Sequence, residues 1–223
     1  MAQIAEDLFL LLIDNASAQP ALDGPRRERA LAAAVLLDLA YACRIRPAVD
    51  GEPIPAGRLV ALDAAGPMDP VADPAFELLR ARPLIPGAAI KSLAKRSEKL
   101  VVAQLERTGQ IRRIPRSGKL FRRSYAYPLI HRDRATAARV ALMAALFDRR
   151  PPAPATAGVI TVLHAVDGLG ALLSLNDRGW RWVHARAGEI AGGSWVDESV
   201  SGLPEINLAV TSSAVRQALT PLA

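Results

Sequence analysis

The stretch from Lys91 to Arg134 reads KSLAKRSEKLVVAQLERTGQIRRIPRSGKLFRRSYAYPLIHRDR, and the other predicted elements are arranged around it. It carries 13 basic and three acidic side chains, a formal charge of +10. Because the whole chain has a formal charge of +6, the rest of it sums to −4. Positive charge concentrated in one stretch produces a surface that attracts phosphate. The stretch therefore predicts an anionic partner, either a lipid head group or a nucleic acid.

The first half of this stretch has the pattern of an amphipathic helix. Apolar residues recur at helical spacing from Ala88 to Arg107, and the helix is expected to end at Thr108-Gly109. Lys91, Lys95 and Lys99 follow one another at four-residue intervals and so share one face, where like charges repel by roughly 0.2 to 0.5 kcal/mol per pair. Two interpretations remain open for this face: it is simply solvated, or it binds an anion.

The second half has the pattern of a basic hairpin. Gln110–Ile114 and Lys119–Tyr125 are predicted strands around the turn 115–118. Cations beside an apolar tip fit insertion into a membrane interface, and they equally fit the wing of a winged-helix domain on a nucleic-acid backbone. The residues predicted to contact a membrane are Arg112, Arg113, Arg116, Lys119, Leu120 and Phe121.

Apolar residues at helical spacing, interrupted by Gly and Pro, predict the remaining elements. No internal repeat or domain boundary is recognisable, so residues 1–223 are expected to form a single, mainly α domain with small β-hairpins. The predicted elements are a first helix ending at Asp14-Asn15, a helix Arg26–Ala42, a hairpin of strands Arg44–Val49 and Gly57–Leu62, and helices Pro74–Arg82, Arg134–Phe147, Thr156–Leu175, Arg181–Ile190 and Pro204–Leu219.

The N-terminal sequence predicts a cytoplasmic protein. Glu6 and Asp7 precede the apolar run Leu8–Ile13, whereas a secretory signal needs positive charge there. No apolar run approaches the roughly 20 residues that span a bilayer. Any association with membranes is therefore expected to be peripheral.

Motifs for enzymatic chemistry are not recognisable. The three histidines do not stand at metal-ligand spacing, and no phosphate-binding loop, dinucleotide fingerprint or nucleophile elbow occurs, so neither a catalytic residue nor a metal or cofactor is predicted. His164 and Asp167 are three residues apart on a predicted apolar helix and are expected to form a buried structural pair. The least supported alternative function is an enzyme that acts on a lipid or isoprenoid.

Several short segments, taken in order along the chain, point to one known family. The segments are Ala5-Glu6-Asp7-Leu8-Phe9-Leu10-Leu11-Leu12, Leu36-Leu37-Asp38-Leu39-Ala40 before Arg44-Ile45, Leu105–Gly109 before the hairpin, Tyr127-Pro128-Leu129 after it, and Leu163-His164-Ala165 with Asp167. Together they resemble the Golgi phosphoprotein 3 family in its bacterial branch. The resemblance implies a mostly helical domain that lies peripherally on membranes, binds phosphatidylinositol 4-phosphate, uses its hairpin for membrane contact and self-association, and serves as an adaptor for protein clients.

The resemblance also indicates where a lipid head group would bind. A family Trp and Arg fall here near Asp23 and Ala32, and two family Arg residues fall at Lys95 and Glu98. Neighbouring cations on the same helical faces could replace the missing contacts. The predicted phosphate-binding residues are therefore Arg29, Lys95 and Lys99, and lysine is expected to be less selective than arginine among anionic lipids.

Overall fold

The computed structural model describes residues 3–63, 66–116, 124–197 and 201–220. Eight α-helices and two small antiparallel sheets make up its regular structure in these ranges. The helices are α1 (Gln3–Leu12), α2 (Gly24–Tyr41), α3 (Asp73–Ala81), α4 (Pro86–Arg107), α5 (Asp133–Phe147), α6 (Pro154–Ala165), α7 (Asp177–Ala191) and α8 (Leu203–Leu219), and the strands are β1 (Ile45–Pro47), β2 (Leu59–Ala61), β3 (Ile114–Arg116) and β4 (Ser124–Ala126). The predicted mainly α fold with small hairpins is confirmed.

Helix α2 lies at the centre of the hydrophobic core. Every residue from Ala30 to Ala40 is buried, and α1, α4, α6 and α8 all pack against this helix. Its many alanines allow neighbouring helices to approach closely on several sides. Asp23 begins the helix by accepting a hydrogen bond from the Arg26 N–H at 3.1 Å, and Pro25 follows in the first turn.

Asp38 is the one carboxylate inside this buried run, and it holds the start of α1. Its two oxygens accept hydrogen bonds from the backbone N–H groups of Ile4 and Ala5 at 2.8 and 3.0 Å. These N–H groups lie in the first turn of α1, where they have no partner within the helix. Asp38 therefore caps a helix that is distant in sequence.

The two sheets are two-stranded hairpins at the edge of the helical core. Ile45, Arg46 and Pro47 pair with Ala61, Val60 and Leu59, and Ile114, Pro115 and Arg116 pair with Ala126, Tyr125 and Ser124. Beyond β3 and β4, Ile111 bridges Leu129, and the Tyr127 N–H donates to the Ala18 carbonyl at 2.6 Å. The base of the second hairpin is thus fixed to the α1–α2 connection.

The position of the turn in the second hairpin was predicted wrongly. Pro115 and Arg116, expected in the turn, belong to β3 and pair with Tyr125 and Ser124. Proline is tolerated here because a two-stranded ribbon leaves one edge without ladder bonds. The first strand therefore extends two residues further toward the tip than the sequence pattern indicated.

The predicted helix Thr156–Leu175 is also wrong at its C-terminal half. Helix α6 ends at Ala165, and a short 3₁₀ turn follows at Leu169–Ala171. Asp167 has φ of 51°, the Gly168 N–H donates to the Leu163 carbonyl at 2.7 Å, and the Asp167 N–H donates to the His164 carbonyl at 3.3 Å. This left-handed Schellman end closes the helix, although the apolar composition continues through it.

Within the described ranges, none of the helices is both long enough and apolar enough to cross a bilayer.

Candidate anion-binding groove

Helix α4 presents three exposed lysines on its solvent side, of which Lys95 and Lys99 line the groove. Ala89, Ile90, Leu93 and other apolar residues of the helix face the core, whereas Lys95 and Lys99 are exposed and lie one turn apart. Neither lysine forms an ion pair with any acid in ranges 3–63, 66–116, 124–197 and 201–220. Within the part of the chain that the structure describes, no direct ion pair therefore offsets their mutual repulsion.

The acid closest in sequence to these lysines, Glu98, is used in a different interaction. The Arg27 Nε and Nη2 atoms donate to Glu98 Oε1 at 3.0 and 2.9 Å, and Arg27 Nη1 donates to the Leu22 carbonyl at 2.7 Å. Because the guanidinium of α2 neutralises this carboxylate of α4, Glu98 contributes little negative charge to the lysine face. The pair also fixes α2 against α4.

The second hairpin supplies the opposite side of the groove. The Arg113 guanidinium lies 5.1 Å from the centre of the Tyr125 ring, a cation–π distance, and 3.7 Å from Glu106. Tyr127 lies edge-on to Phe9 at 5.4 Å between ring centres. Burial raises the pKa of Tyr127 above its ordinary value. Its hydroxyl, neutral like that of any tyrosine at pH 7, can donate a hydrogen bond.

These three elements enclose a groove of about 510 Å³. Four cationic and two acidic side chains line it, a formal charge of +2. Two tyrosine rings add flat apolar surface. The lining residues are Arg27, Glu28, Lys95, Glu98, Lys99, Val102, Arg113, Tyr125 and Tyr127.

The structure brings together three of the residues predicted from the sequence, Lys95, Lys99 and Arg113. Arg29 is not among the lining residues, and its Nε is buried with no hydrogen-bond partner in the described part of the chain. Residues two apart on a helix point about 200° apart, so Arg27 and Arg29 cannot both face α4. Arg27 occupies the position that was assigned to Arg29, and the phosphate-binding role of the three predicted residues stays a prediction.

The remaining hairpin predictions are only partly covered by the structure. Arg112 and Arg116 are exposed on the hairpin but do not line the groove. Lys119, Leu120 and Phe121 lie outside the described residues.

Arg134, one of the cations of the basic stretch, is neutralised by acids of α1. Arg134 binds Glu6 and also Asp7, the latter at 2.6 Å between Nε and Oδ1. Burial raises the pKa of both acids, while the hydrogen bond and charge of Arg134 lower it. Arg134 thus joins α5 to α1 and serves the fold.

Arg27, Tyr125 and Tyr127 are among the groove residues that were not predicted as site residues from the sequence. Arg27 is one of several cations in the first turn of α2. Because the helix dipole disfavours positive charge at this end, such cations indicate that an anionic group binds them. The two tyrosines are two residues apart where the chain is extended, a spacing that places side chains on one face. No sequence pattern shows that these faces meet.

The predicted structural pair of His164 and Asp167 does not form. Nδ1 of His164 is buried without a hydrogen-bond partner in the described chain, and Asp167 is exposed. The reason is the early end of α6, which puts Asp167 into a left-handed turn instead of the next turn of a helix. His164 instead contacts His184 of α7, with 5.7 Å between ring centres.

The fold and the site define a mainly helical protein in which two core helices and the second hairpin line a basic groove. The family model for Golgi phosphoprotein 3 (GPP34) matches residues 4–203. The chain belongs to this family, as the resemblance in its sequence predicted. A search of curated proteins finds no match to the chain.

Proposed function

We propose that this protein is a peripheral membrane protein that binds anionic phospholipid head groups in the basic groove and acts as an adaptor. The observation that carries the proposal is the convergence of Lys95, Lys99 and Arg113 on one groove with Arg27. Membership of the Golgi phosphoprotein 3 family supports a role in lipid or protein binding. The proposed ligand is a phosphate on a lipid head group, with phosphatidylinositol 4-phosphate as the candidate that the family suggests.

The charges of the groove and hairpin are sufficient for reversible attachment. A cation near an anionic membrane contributes on the order of 1 kcal/mol before screening. Lys95, Lys99 and Arg113 in the groove and Arg112 and Arg116 on the hairpin therefore supply about 5 kcal/mol together. This attraction is expected to decrease as salt increases.

The hairpin also offers apolar contacts for the membrane interface. Ile114 of β3 and Ile130 after β4 are 43% and 45% exposed, beside the cations of the same hairpin. Apolar side chains next to cations favour the boundary between head groups and acyl chains. The hairpin is accordingly proposed as the membrane-contacting element and as a surface for self-association.

Cosedimentation with liposomes tests the proposal. Vesicles containing phosphatidylinositol 4-phosphate or another anionic lipid are expected to pellet the protein at low salt, and vesicles of phosphatidylcholine alone are not. Lys95→Glu with Arg113→Glu should abolish pelleting. Arg178→Glu with Arg181→Glu is the matched control, because it changes the net charge equally at exposed positions of α7 away from the groove.

Equal pelleting with neutral vesicles, or equal loss in the control variant, would contradict the groove as the lipid site. A gel shift with duplex DNA at the same salt serves as the competing assay. Tighter binding to DNA than to anionic vesicles would favour the winged-helix-like alternative. A comparison among anionic lipids then measures head-group selectivity.

A further inference from the structure

A second pocket lies on the other side of the first turn of α2. Arg26 lines this pocket, whereas its neighbour Arg27 lines the basic groove, and the two sites share no residue. The pocket has a volume of about 390 Å³, within the range of about 300 to 1,000 Å³ for small-molecule sites. Its lining residues are Ala21, Leu22, Arg26, Asp167, Gly170, Ala171, Trp180 and His184.

Two rings from α7 contribute flat surface to this pocket. Trp180 and His184 are one helical turn apart, with 5.5 Å between ring centres and an angle of 37° between ring planes. His164 of α6 lies against His184, 5.7 Å away between ring centres, and so supports it from the core. Ring surfaces of this kind favour planar ligands that can stack on them.

A guanidinium lines the same pocket and is held in position. Arg26 Nε binds the Asp23 carboxylate, and Arg26 Nη1 donates to the Asp167 carbonyl at 3.3 Å. These contacts leave the plane of the guanidinium fixed. Arginine planes, like aromatic rings, accept stacked bases.

The carboxylate of Asp167 completes the polar groups of the pocket. The residue is exposed, and its φ of 51° is held by the Schellman end of α6 and by Arg26 at its carbonyl. Aspartate tolerates this conformation better than most residues. Asp167 can accept hydrogen bonds from a ligand amino group, and its charge balances that of Arg26 in the lining.

We propose that this pocket binds the planar ring of a purine or pyrimidine nucleoside. The ring stacks on Trp180, against which His184 packs, its exocyclic amino group donates to Asp167, and its acceptors face Arg26. Because the Arg26 charge is already engaged by Asp23, the pocket offers little additional attraction to a polyphosphate. A nucleoside is therefore favoured over a nucleoside triphosphate.

Saturation-transfer NMR and calorimetry on the full chain test this inference, with adenosine, guanosine, cytidine, uridine, ATP and glucose as probes. At least one nucleoside should saturate, with transfer strongest to base protons. Trp180→Leu should weaken that binding about tenfold or more. Trp182→Leu is the matched control, since Trp182 stacks on Phe147 outside the pocket, and it should leave binding unchanged.

Asp167→Asn provides a second variant, because asparagine also tolerates the left-handed conformation and the residue is exposed. It should weaken nucleosides that carry an exocyclic amino group more than uridine. Three results would overturn the inference: no nucleoside binds at millimolar concentration, both tryptophan variants lose binding equally, or glucose binds as well as the nucleosides. Tighter binding of ATP than adenosine would overturn the preference for an uncharged ligand.

Discussion

Asp38 and Lys95 are both charged residues on long core helices, but their surroundings are opposite. Asp38 is 7% exposed and uses both oxygens on the first turn of α1. Lys95 is exposed in a groove with a second lysine one turn away, and it has no ion pair among the described residues. Burial raises the pKa of Asp38 well above its ordinary range, whereas its two amide hydrogen bonds act in the opposite direction.

The presence or absence of a fixed partner distinguishes side chains that stabilise the fold from side chains that are available to a ligand. Asp38, and Arg134 with Glu6 and Asp7, have partners fixed by the fold. Removing such a charge leaves a buried group unsatisfied and lowers stability. Removing an unpaired exposed lysine is expected to change binding and leave stability almost unaltered.

The largest effect is expected for Asp38→Ala. Two N–H groups of α1 would lose their acceptor inside the core, so the free energy of unfolding should fall by roughly 2 to 4 kcal/mol. Urea denaturation followed by circular dichroism measures it. Asp14→Ala is the control, because Asp14 accepts from the Ser17 N–H in the exposed turn after α1, and its replacement should lower stability much less. Equal losses would refute the special role of Asp38.

A smaller effect is expected when the stability contributed by Asp38 is measured as a function of pH. Because the pKa of Asp38 is raised in the folded state, the folded protein binds more protons than the unfolded chain above about pH 4. The contribution of Asp38 to stability is therefore complete below that pH and is lost as pH rises toward the folded-state pKa. The stability advantage of wild type over Asp38→Asn should shrink between pH 4 and pH 7, measured by urea titration at each pH. An advantage that grows with pH would reverse the sign of this linkage.

The sequence located most of the helices, but it carries no signal for how they pack against one another. Apolar spacing and capping residues located α2 and α4 within two residues, because these signals are local. The helix predicted over Thr156–Leu175 failed because apolar composition continued past α6, and the left-handed Asp167 that ends the helix is not a glycine. A local pattern cannot distinguish a buried turn from a buried helix.

The candidate site was predictable only where local sequence patterns define it. Lys95 and Lys99 followed from helical spacing, and Arg113 from the charge of the hairpin. The choice between Arg27 and Arg29 depended on which face of α2 meets α4, and that is a tertiary property. Asp38 left a signal in the sequence, a single acid in the apolar run from Ala30 to Ala40, but its partner was 33 and 34 residues away.

Glu98→Gln changes a residue that belongs to both groups of charges. Glu98 is paired with Arg27 in the fold, and it also lines the groove. Its side chain and that of Arg27 are 16% and 17% exposed, so loss of the ion pair should cost about 1 kcal/mol of unfolding free energy. The groove would simultaneously gain one net positive charge, and anionic liposomes should bind about fivefold more tightly. Urea denaturation and liposome titration measure the two effects. Lower stability with weaker liposome binding would mean that Glu98 orders the lipid site.

The smallest effect on the fold is expected for Lys99→Gln. The residue is exposed and unpaired among described residues, so the free energy of unfolding should change by less than about 0.5 kcal/mol. Partitioning onto anionic liposomes should nevertheless fall about fivefold, corresponding to about 1 kcal/mol for one cation near the surface. Arg181→Gln removes the same charge from exposed α7 and should reduce partitioning much less. If both variants partition equally, overall charge drives attachment and the groove has no special part in it.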